Sequence, residues 1–556
     1  MNNKKNIALI PAAGRGNRML NLTDDCPKAM LPLRNKPIIG WHLDKLIAEG
    51  IEDVCIIVGY KKEKLIDYVN KIYSNKLNIT YAVQSQLNGL ADAINCGLCA
   101  LETSYDLNQY NLLIILGDTI INDELMPKMH NGDFIGYKIV SDYSRWCLMK
   151  TTNNIITEFI DKPDADPKTR KAVIGIYYFT NIIYLKACID TIIKNDIKIK
   201  NEFQLSSAME IYMKTIDLLA IEFTEWFDCG QVDSFNKTRK NIARHFNSIE
   251  ITDDNTIIKR SDNDKKISQE INWYLNLPNK LRVYIPQLID YSTLKNNTFY
   301  ELEYVNFSPM QELFLYDLPS NEDWEKFFNN IFHMIERFKL YSTKARFNSK
   351  EHVTEILINK TEKRINELKK DNYFNSLMNY SSIIINNKIY KNFKLMWSEI
   401  KKYIENNILN DSSQYWQIIH GDLFFGNMLY DVNSETLKVL DPRGNFGIDG
   451  VYGDIRYDIA KLMHSISGRY DFIINDLFAI IQEKDNNIEY ILYDSPKHLE
   501  IESIFNSIVE KNGYNINDII VITGLLFISM IPLHSENINH QKMFYYIGIQ
   551  LLNKIF

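Results

Sequence analysis

The run Pro11-Ala12-Ala13-Gly14-Arg15-Gly16-Asn17-Arg18-Met19 follows directly on the apolar stretch Ile7–Ile10, and Cys26-Pro27-Lys28 comes soon after. Small residues and glycines at the end of a strand let backbone N–H groups approach a triphosphate closely, so Ala12, Ala13, Gly14 and Gly16 are candidate nucleotide-binding positions. Arg18 can neutralise β- and γ-phosphates as they leave as pyrophosphate. Lys28 can hold the α-phosphate under attack. Taken alone, the loop also fits a plain strand-to-helix turn. Two acids strengthen the chemical reading. Asp118 closes the apolar segment Leu113–Gly117, at the end of a strand where open α/β sheets place ligands, and Asp228 lies in Trp226-Phe227-Asp228-Cys229-Gly230. Together they can hold one Mg²⁺ that bridges the phosphates of two substrates.

A second constellation lies far downstream, in His420-Gly421-Asp422-Leu423-Phe424-Phe425-Gly426-Asn427 and Val439-Leu440-Asp441-Pro442-Arg443-Gly444. Asp422 can orient a substrate hydroxyl and take its proton, while Asn427 and Asp441 can hold the magnesium of ATP. The same Asp-x-x-x-x-Asn step serves phosphoryl transfer in protein kinases. His420 is expected to support the loop, and His464 and His534 to be ordinary helix histidines.

These residues need a framework. Ile7–Pro11, Val54–Val58, Ile79–Val83 and Leu112–Leu116 read as buried strands, with helical stretches such as Ile38–Glu49 and Lys62–Asn70 between them. The alternation predicts an α/β domain over residues 1–245, a Rossmann-like and mostly parallel sheet covered by helices. Ile249–Thr252, a turn at Asp253-Asp254-Asn255 and Thr256–Lys259 then read as a hairpin opening a second domain, 249–556. There the order is strands first (Thr298–Tyr304, Met428–Tyr430, Leu437–Leu440), then mostly helices (Asn321–Tyr341, His352–Lys370, Gly453–Ile466), an α+β pattern.

Composition narrows the function. A chain of 556 residues with 46% hydrophobic content can bury two cores. Its net charge of −7 offers no basic stripe, which argues against nucleic acid as a partner. All seven cysteines lie at or before Cys229, a pattern of reduced thiols in a cytoplasmic protein, and Cys96/Cys99 read as small helix residues. No secretory leader is expected from Met1–Lys5. The apolar run Ile519–Leu533 contains Gly524 and Pro532 and falls short of the ~20 residues that span a bilayer, so it reads as a buried helix without membrane insertion. A homo-oligomer is compatible with the sequence.

The loop Ala12–Met19 with Pro27-Lys28 resembles the sugar-phosphate nucleotidyltransferases. So do Gln84 with Gly89-Leu90-Ala91-Asp92-Ala93-Ile94, Gly117-Asp118, Asp161-Lys162-Pro163, Val173–Tyr177 and Phe227–Gly230. The resemblance implies that Gln84 and Gly89 read the base, that Asp118 and Asp228 carry magnesium, and that Lys162 and Gly175 face the phosphorylated substrate. Asn17 and Asp161 depart from the residues common at those places. The second constellation resembles the aminoglycoside phosphotransferase and choline kinase group, which implies a bilobal, protein-kinase-like fold. Within that likeness Lys259 would hold the α- and β-phosphates of ATP and Glu270 would pair with it. Glu301–Tyr304, with Glu303 as the nucleotide-binding position, would face adenine, and Asp458 would brace the catalytic loop. Lys259 also fits a solvated lysine on an exposed hairpin, and Glu270 shares that alternative. Arg443 is unusual after the metal aspartate and has no role assigned.

Two such halves in one chain point to consecutive steps. ATP phosphorylates a hydroxyl of a small metabolite, and CTP, UTP or dTTP then yields a nucleotide-diphospho-sugar or polyol, a donor for surface polysaccharide. The alternatives are a choline- or ethanolamine-type kinase with a cytidylyltransferase, which would need an aromatic cage in the kinase cleft, and a catalytically silent nucleotide sensor.

Overall fold

A computed structural model describes residues 4–23, 26–246, 250–252, 254–261, 263–295, 297–342 and 348–556. The chain divides into two units, Met1–Ile242 and Ala243–Phe556. Residues 249 and 253, expected in the hairpin that opens the second half, lie outside the described residues.

The first unit contains β1 (Lys5–Pro11), α1 (Ile38–Ala48), β2 (Asp53–Val58), α2 (Lys62–Tyr73), β3 (Asn78–Val83), α3 (Leu90–Glu102), β4 (Tyr110–Ile115), β5 (Thr119–Ile121), β6 (Phe134–Ile139), β7 (Cys147–Thr152), β8 (Ile155–Asp161), β9 (Lys171–Phe179), β10 (Leu219–Glu222) and β11 (Trp226–Asp228). Nine strands form one sheet in the order β3-β2-β1-β4-β9-β6-β10-β8-β7. Strands β3, β2, β1 and β4 are parallel. Ile7–Ile10, Val54–Val58 and Leu112–Ile115 are wholly buried, as strands covered on both faces must be. The expected mostly parallel sheet needs correction beyond β4. There β9 enters antiparallel to β4 and to β6, β10 runs parallel to β6 but antiparallel to β8, and β8 is antiparallel to β7, so the sheet is mixed. The reason is local. Asn153 and Asn154 (φ 51° and 64°) join β7 to β8 as a two-residue turn of the hairpin-forming hand, and so short a link leaves no room for a crossover. The seven cysteines are unpaired and all lie in this unit, with Cys99 on α3 exposed.

The second unit opens with β12 (Glu250–Ile251), β13 (Thr256–Arg260), α4 (Asp264–Asn276), β14 (Leu288–Leu294) and β15 (Asn297–Glu303). The strands make an antiparallel sheet in the order β12-β13-β15-β14. α4 buries Ile267, Glu270, Ile271, Trp273 and Tyr274. Helices then dominate. α5 (Asn321–Lys339) starts at a capping box in which Ser320 and Asp323 exchange hydrogen bonds. Its apolar stripe Trp324, Phe327, Phe328, Ile331, Phe332, Ile335 and Phe338 is buried at helical spacing.

Further on lie α6 (Lys360–Leu368), β16 (Trp416–Ile418), β17 (Met428–Asp431), β18 (Thr436–Val439), β19 (Tyr452–Asp454), α7 (Ile455–Ile466) and α8 (Ile516–Met530). Two expected helices need correction. The continuous helix over His352–Lys370 is interrupted by a π-turn, Glu355–Asn359, immediately before α6. The helix expected from Gly453 begins instead at Ile455. Gly453 belongs to β19, paired with Gln417, and the Asp454 side chain caps the helix by accepting from the Arg456 N–H. Four strands over Ser382–Ile385, Lys388–Lys391, Phe478–Lys484 and Asn487–Leu492 form a sheet that the periodicity did not announce. The apolar run around α8 passes, by length and composition, for a membrane span, but its side chains are packed inside this unit.

Candidate active sites

In the first unit the loop ends converge through backbone hydrogen bonds at the carboxyl ends of β1, β2 and β4. The Gly117 N–H donates to Pro11 O (3.1 Å), Ala12 N–H to Ile57 O (2.8 Å) and Tyr60 N–H to Ala13 O (3.0 Å). β5 pairs antiparallel with β11, setting Thr119 opposite Asp228, and the Cys229 N–H donates to Asp118 O (2.9 Å). A Cβ placed on Gly230 would lie 2.9 Å from Asp228 Oδ1 and 3.7 Å from Asp118 Oδ2, so both carboxylates reach one point. Lys28 Nζ donates to Asp118 Oδ2 (2.6 Å) and to Gly230 O (3.2 Å). Burial opposes the charge on Asp118, but the Lys28 ammonium outweighs it, helped by Arg18 and His42, and the carboxyl titrates below its ordinary range.

Arg18, Asp118, Asp228, Lys162 and Gly175 line one cavity of about 250 Å³, with Arg145, Trp146, Phe159, Tyr177 and Trp226. Gly175 (φ 85°) sits where the pairing of β9 with β6 shifts register. A side chain there would come within 2.7 Å of Leu116, whose N–H donates to Gly175 O (2.9 Å). Gly14 is different, since a Cβ there would meet nothing within 4 Å. Gln84 and Gly89 are linked to each other (Nε2 to O, 3.4 Å), and Gln84 also donates to Asp92 (2.8 Å). They, like Ala12, Ala13, Gly14 and Gly16, stand outside the lining of the cavity. Two features escaped the sequence reading. Trp146 and Trp226 meet edge to face at 5.2 Å, and the Arg145 guanidinium lies over Trp146 (5.5 Å) and 4.0 Å from Asp228. Trp146 and Trp226 stand far apart in the sequence, and only the fold brings them together.

In the second unit Lys259 Nζ lies 2.9 Å from Glu270 and 2.9 Å from Asp441. Tyr300, opposite Lys259 in the register of β13 with β15, donates its hydroxyl to Glu270 (2.8 Å) and Asp441 (3.1 Å). Burial holds the Glu270 carboxyl above its ordinary range against the pull of Lys259. Asp441 adopts φ 55°, a left-handed conformation that aspartate tolerates better than most residues. The Leu440 N–H donates to Asn427 O (2.9 Å), and Asn427 Nδ2 donates to the Asp422 backbone O (2.9 Å) and carboxylate (3.3 Å). Both oxygens of buried Asp458 accept from the loop, from the His420 N–H (2.7 Å) and the Gly421 N–H (2.8 Å). His420 is buried, and burial lowers its pKa to about 4, leaving a neutral ring.

Lys461 pairs with Asp422 at 3.0 Å, a contact that the motif alone did not reveal. It stands three residues after Asp458 on α7, and residues at that spacing share a helix face, so the signal was present in Asp458 itself. Burial opposes the charge on Asp422, and Lys461, His420 and Arg443 outweigh it. Glu303 is set apart, since its carboxylate accepts from the Gln287 N–H (3.2 Å) and, among the described residues, no hydrogen bond or ion pair ties it to the cluster. Three positions along β15 separate it from Tyr300.

Among the described residues no group of three or more His, Cys, Asp or Glu gathers in metal-binding geometry. The donor sets Asp118/Asp228 and Asn427/Asp441 are all oxygen and pairwise. They fit Mg²⁺, which binds through one or two protein oxygens and fills its shell with water and phosphate.

A model of the nucleotidyl transferase family matches residues 7–245. Over 227 residues the chain is 32% identical to the UTP–glucose-1-phosphate uridylyltransferase AglF of Haloferax volcanii, covering 39% of this chain and 88% of that protein. It is 29% identical over 227 residues to the bifunctional protein GlmU of Methanocaldococcus jannaschii, covering 40% of this chain and 51% of that one, so it spans about half the length of that relative. A crystal structure of UDP-glucose pyrophosphorylase complexed with UDP-glucose aligns with 43% of this chain and 99% of its own, at 24% identity and a TM-score of 0.37.

Proposed function

We propose, on the premise that the chain belongs to the nucleotidyl transferase family through residues 7–245, that it is a two-step enzyme. Its first half transfers a nucleotidyl group to a sugar phosphate or polyol phosphate. Its second half makes that phosphate from ATP. The observation that carries the second step is Lys259, held between Glu270 and Asp441 at 2.9 Å each, on the same unit as the Asp422–Asn427 pair. That is the arrangement phosphoryl transfer to a hydroxyl requires: a cation for the ATP phosphates, oxygen donors for metal, and a carboxylate for the acceptor proton.

In the kinase step Asp422 accepts the proton of the acceptor hydroxyl as its oxygen bonds to the γ-phosphorus, and ADP leaves. Lys259 aligns the α- and β-phosphates, and Glu270 and Tyr300 fix Lys259. In the second step an oxygen of the new phosphate attacks the α-phosphorus of CTP, UTP or dTTP, and pyrophosphate leaves. Lys28 stabilises the α-phosphate charge, Arg18 the departing pyrophosphate, and Lys162 with the open backbone at Gly175 receives the incoming phosphate. Asp118 with Asp228, and Asn427 with Asp441, would hold Mg²⁺, which neutralises phosphate charge when bound. The product is a nucleotide-diphospho donor of the kind surface polysaccharides consume.

The test uses the purified full chain with ATP, Mg²⁺, the NTPs and a panel of polyols, sugars and their phosphates. Both ADP and pyrophosphate are expected, and release of neither would sink the proposal. Asp422→Ala should abolish ADP formation while pyrophosphate release from a pre-phosphorylated substrate continues, and Asp118→Ala should do the reverse, each by about a hundredfold or more.

A further inference from the structure

The second unit carries a knot of cations that the two-step reading leaves unused. Arg443 packs its side chain over Gly421, 2.8 Å from where a Cβ would stand, and its N–H donates to His420 O (2.9 Å). Its guanidinium donates to the Tyr457 hydroxyl (3.0 Å). Lys461, one turn along α7 from Tyr457, holds Asp422. Lys360 heads α6, directly after the π-turn, a deformation that re-aims the side chains that follow it and that recurs at functional sites. Among the described residues neither Arg443 nor Lys360 has a carboxylate within ion-pair distance. The positive field reaches Tyr457. Burial would raise its pKa, yet Lys360, Arg443 and Lys461 together lower it, and Asp422 is the acid that opposes them. Lys360 in turn titrates below its ordinary value. The Tyr457 phenol works against this, while burial and the neighbouring Arg443, Lys461 and Arg364 favour it.

Such crowding of like charge is costly, and an anion brought between the cations would relieve it. The ATP phosphates already have Lys259, which lies on Asp441 and Glu270, whereas Lys461 holds Asp422 and Arg443 donates to Tyr457 one turn away, where the acceptor hydroxyl must sit, and the charge of Lys360 reaches the same Tyr457. We infer that the acceptor of the kinase step carries a negative charge of its own, a carboxylate or a phosphate on a small hydroxylated molecule, held by Arg443 and Lys360 beside Asp422. Lys461 is the positioning residue that fixes Asp422. This rests on the kinase reading above and changes its acceptor from a neutral sugar or polyol to a sugar acid or other hydroxy acid, or to a polyol that already carries one phosphate; cationic amino alcohols are excluded.

The experiment measures ADP release by the full chain with ATP and Mg²⁺ against matched acceptors: neutral polyols, the corresponding aldonates, the corresponding polyol phosphates, and choline and ethanolamine. Turnover confined to the aldonates or the polyol phosphates is expected, and the arm that responds identifies the anion. Lys360→Met should raise the KM for that acceptor at least tenfold, with kcat and the KM for ATP changed less than twofold, and Arg443→Met should raise the acceptor KM by at least as much while leaving the KM for ATP within twofold. If Arg443→Met does not fold, as judged by circular dichroism, Lys360→Met and Arg443→Lys carry the comparison. Neutral or cationic acceptors turned over at equal or higher kcat/KM would overturn the inference and leave the kinase standing. So would a fall in kcat with the acceptor KM unchanged, because the cations would then serve the transferring phosphoryl group. No ADP with any acceptor would remove the kinase reading, and this inference with it.

Discussion

Asp118 shows how one side chain can be read from two sides. Its place at the end of an apolar strand predicted an acid at the mouth of a sheet. The nearness of Asp228 came from the pairing of β5 with β11, and the salt link to Lys28 from a segment 90 positions upstream, contacts that no local pattern announces. Behind it, buried His42 lies 2.7 Å from Thr119 O, and burial lowers its pKa from 6.5 to about 4. Between those values the unfolded chain binds the proton that the folded chain refuses. The stability due to neutral His42 is therefore complete above about pH 6.5 and is lost as pH falls towards 4, with a ceiling of ~3 kcal/mol. Thermal melts of the full chain between pH 7 and pH 4.5 should show a shallower decline for His42→Gln than for the wild type. Equal slopes would mean that His42 is not the group responsible. Glycines give a second contrast. Gly175→Ala forces a side chain onto a left-handed backbone and against Leu116, and should cost ~1–3 kcal/mol, lowering the melting temperature. Gly14→Ala meets no atom and should melt as the wild type does. Its methyl group fills the space through which a triphosphate would approach, so the KM for the NTP should rise instead.

At the scale of elements, the strands β1 to β4 and the helices between them were legible because continuous apolar runs and helical periodicity are local signals. The antiparallel half of the first sheet was not, since its direction is decided by the Asn153-Asn154 turn and by long-range pairing. Likewise Gly453 read as helix because the apolar spacing extends through it, whereas its pairing with Gln417 draws it into a strand and Asp454 starts the helix one step later. That helix, α7, carries both Asp458 and Lys461, so its seating matters. Arg456, wholly buried, ties it down through Asp454 (2.7 Å), Asp411 (2.7 Å) and Asp518 (3.3 Å). Arg456→Met leaves those acids without their cation and should destabilise the second unit by ~3–5 kcal/mol. Chemical denaturation followed by circular dichroism checks this. ADP formation should fall with it while pyrophosphate release persists, and an undiminished rate of ADP formation would show that α7 does not seat the loop.

At the scale of the whole molecule, each half holds its own set of acids and cations, and no residue is asked to serve both. If the phosphorylated intermediate is free to leave, two inactive chains should cooperate. An equimolar mixture of Asp118→Ala and Asp422→Ala proteins should convert the unphosphorylated acceptor to the nucleotide donor, as judged by chromatography of the product, although neither does so alone. Failure of the mixture, with each variant retaining its one partial reaction, would mean that the intermediate is handed on within a single chain. The distribution of sulfur supplies a handle for such work. Every thiol belongs to the first unit and Cys99 stands in solvent on α3. A maleimide dye coupled at limiting ratio would therefore put a spectroscopic reporter on the nucleotidyl-transferring half alone. Its emission would follow that half through heating or acid, silent about the other, without a single engineered residue.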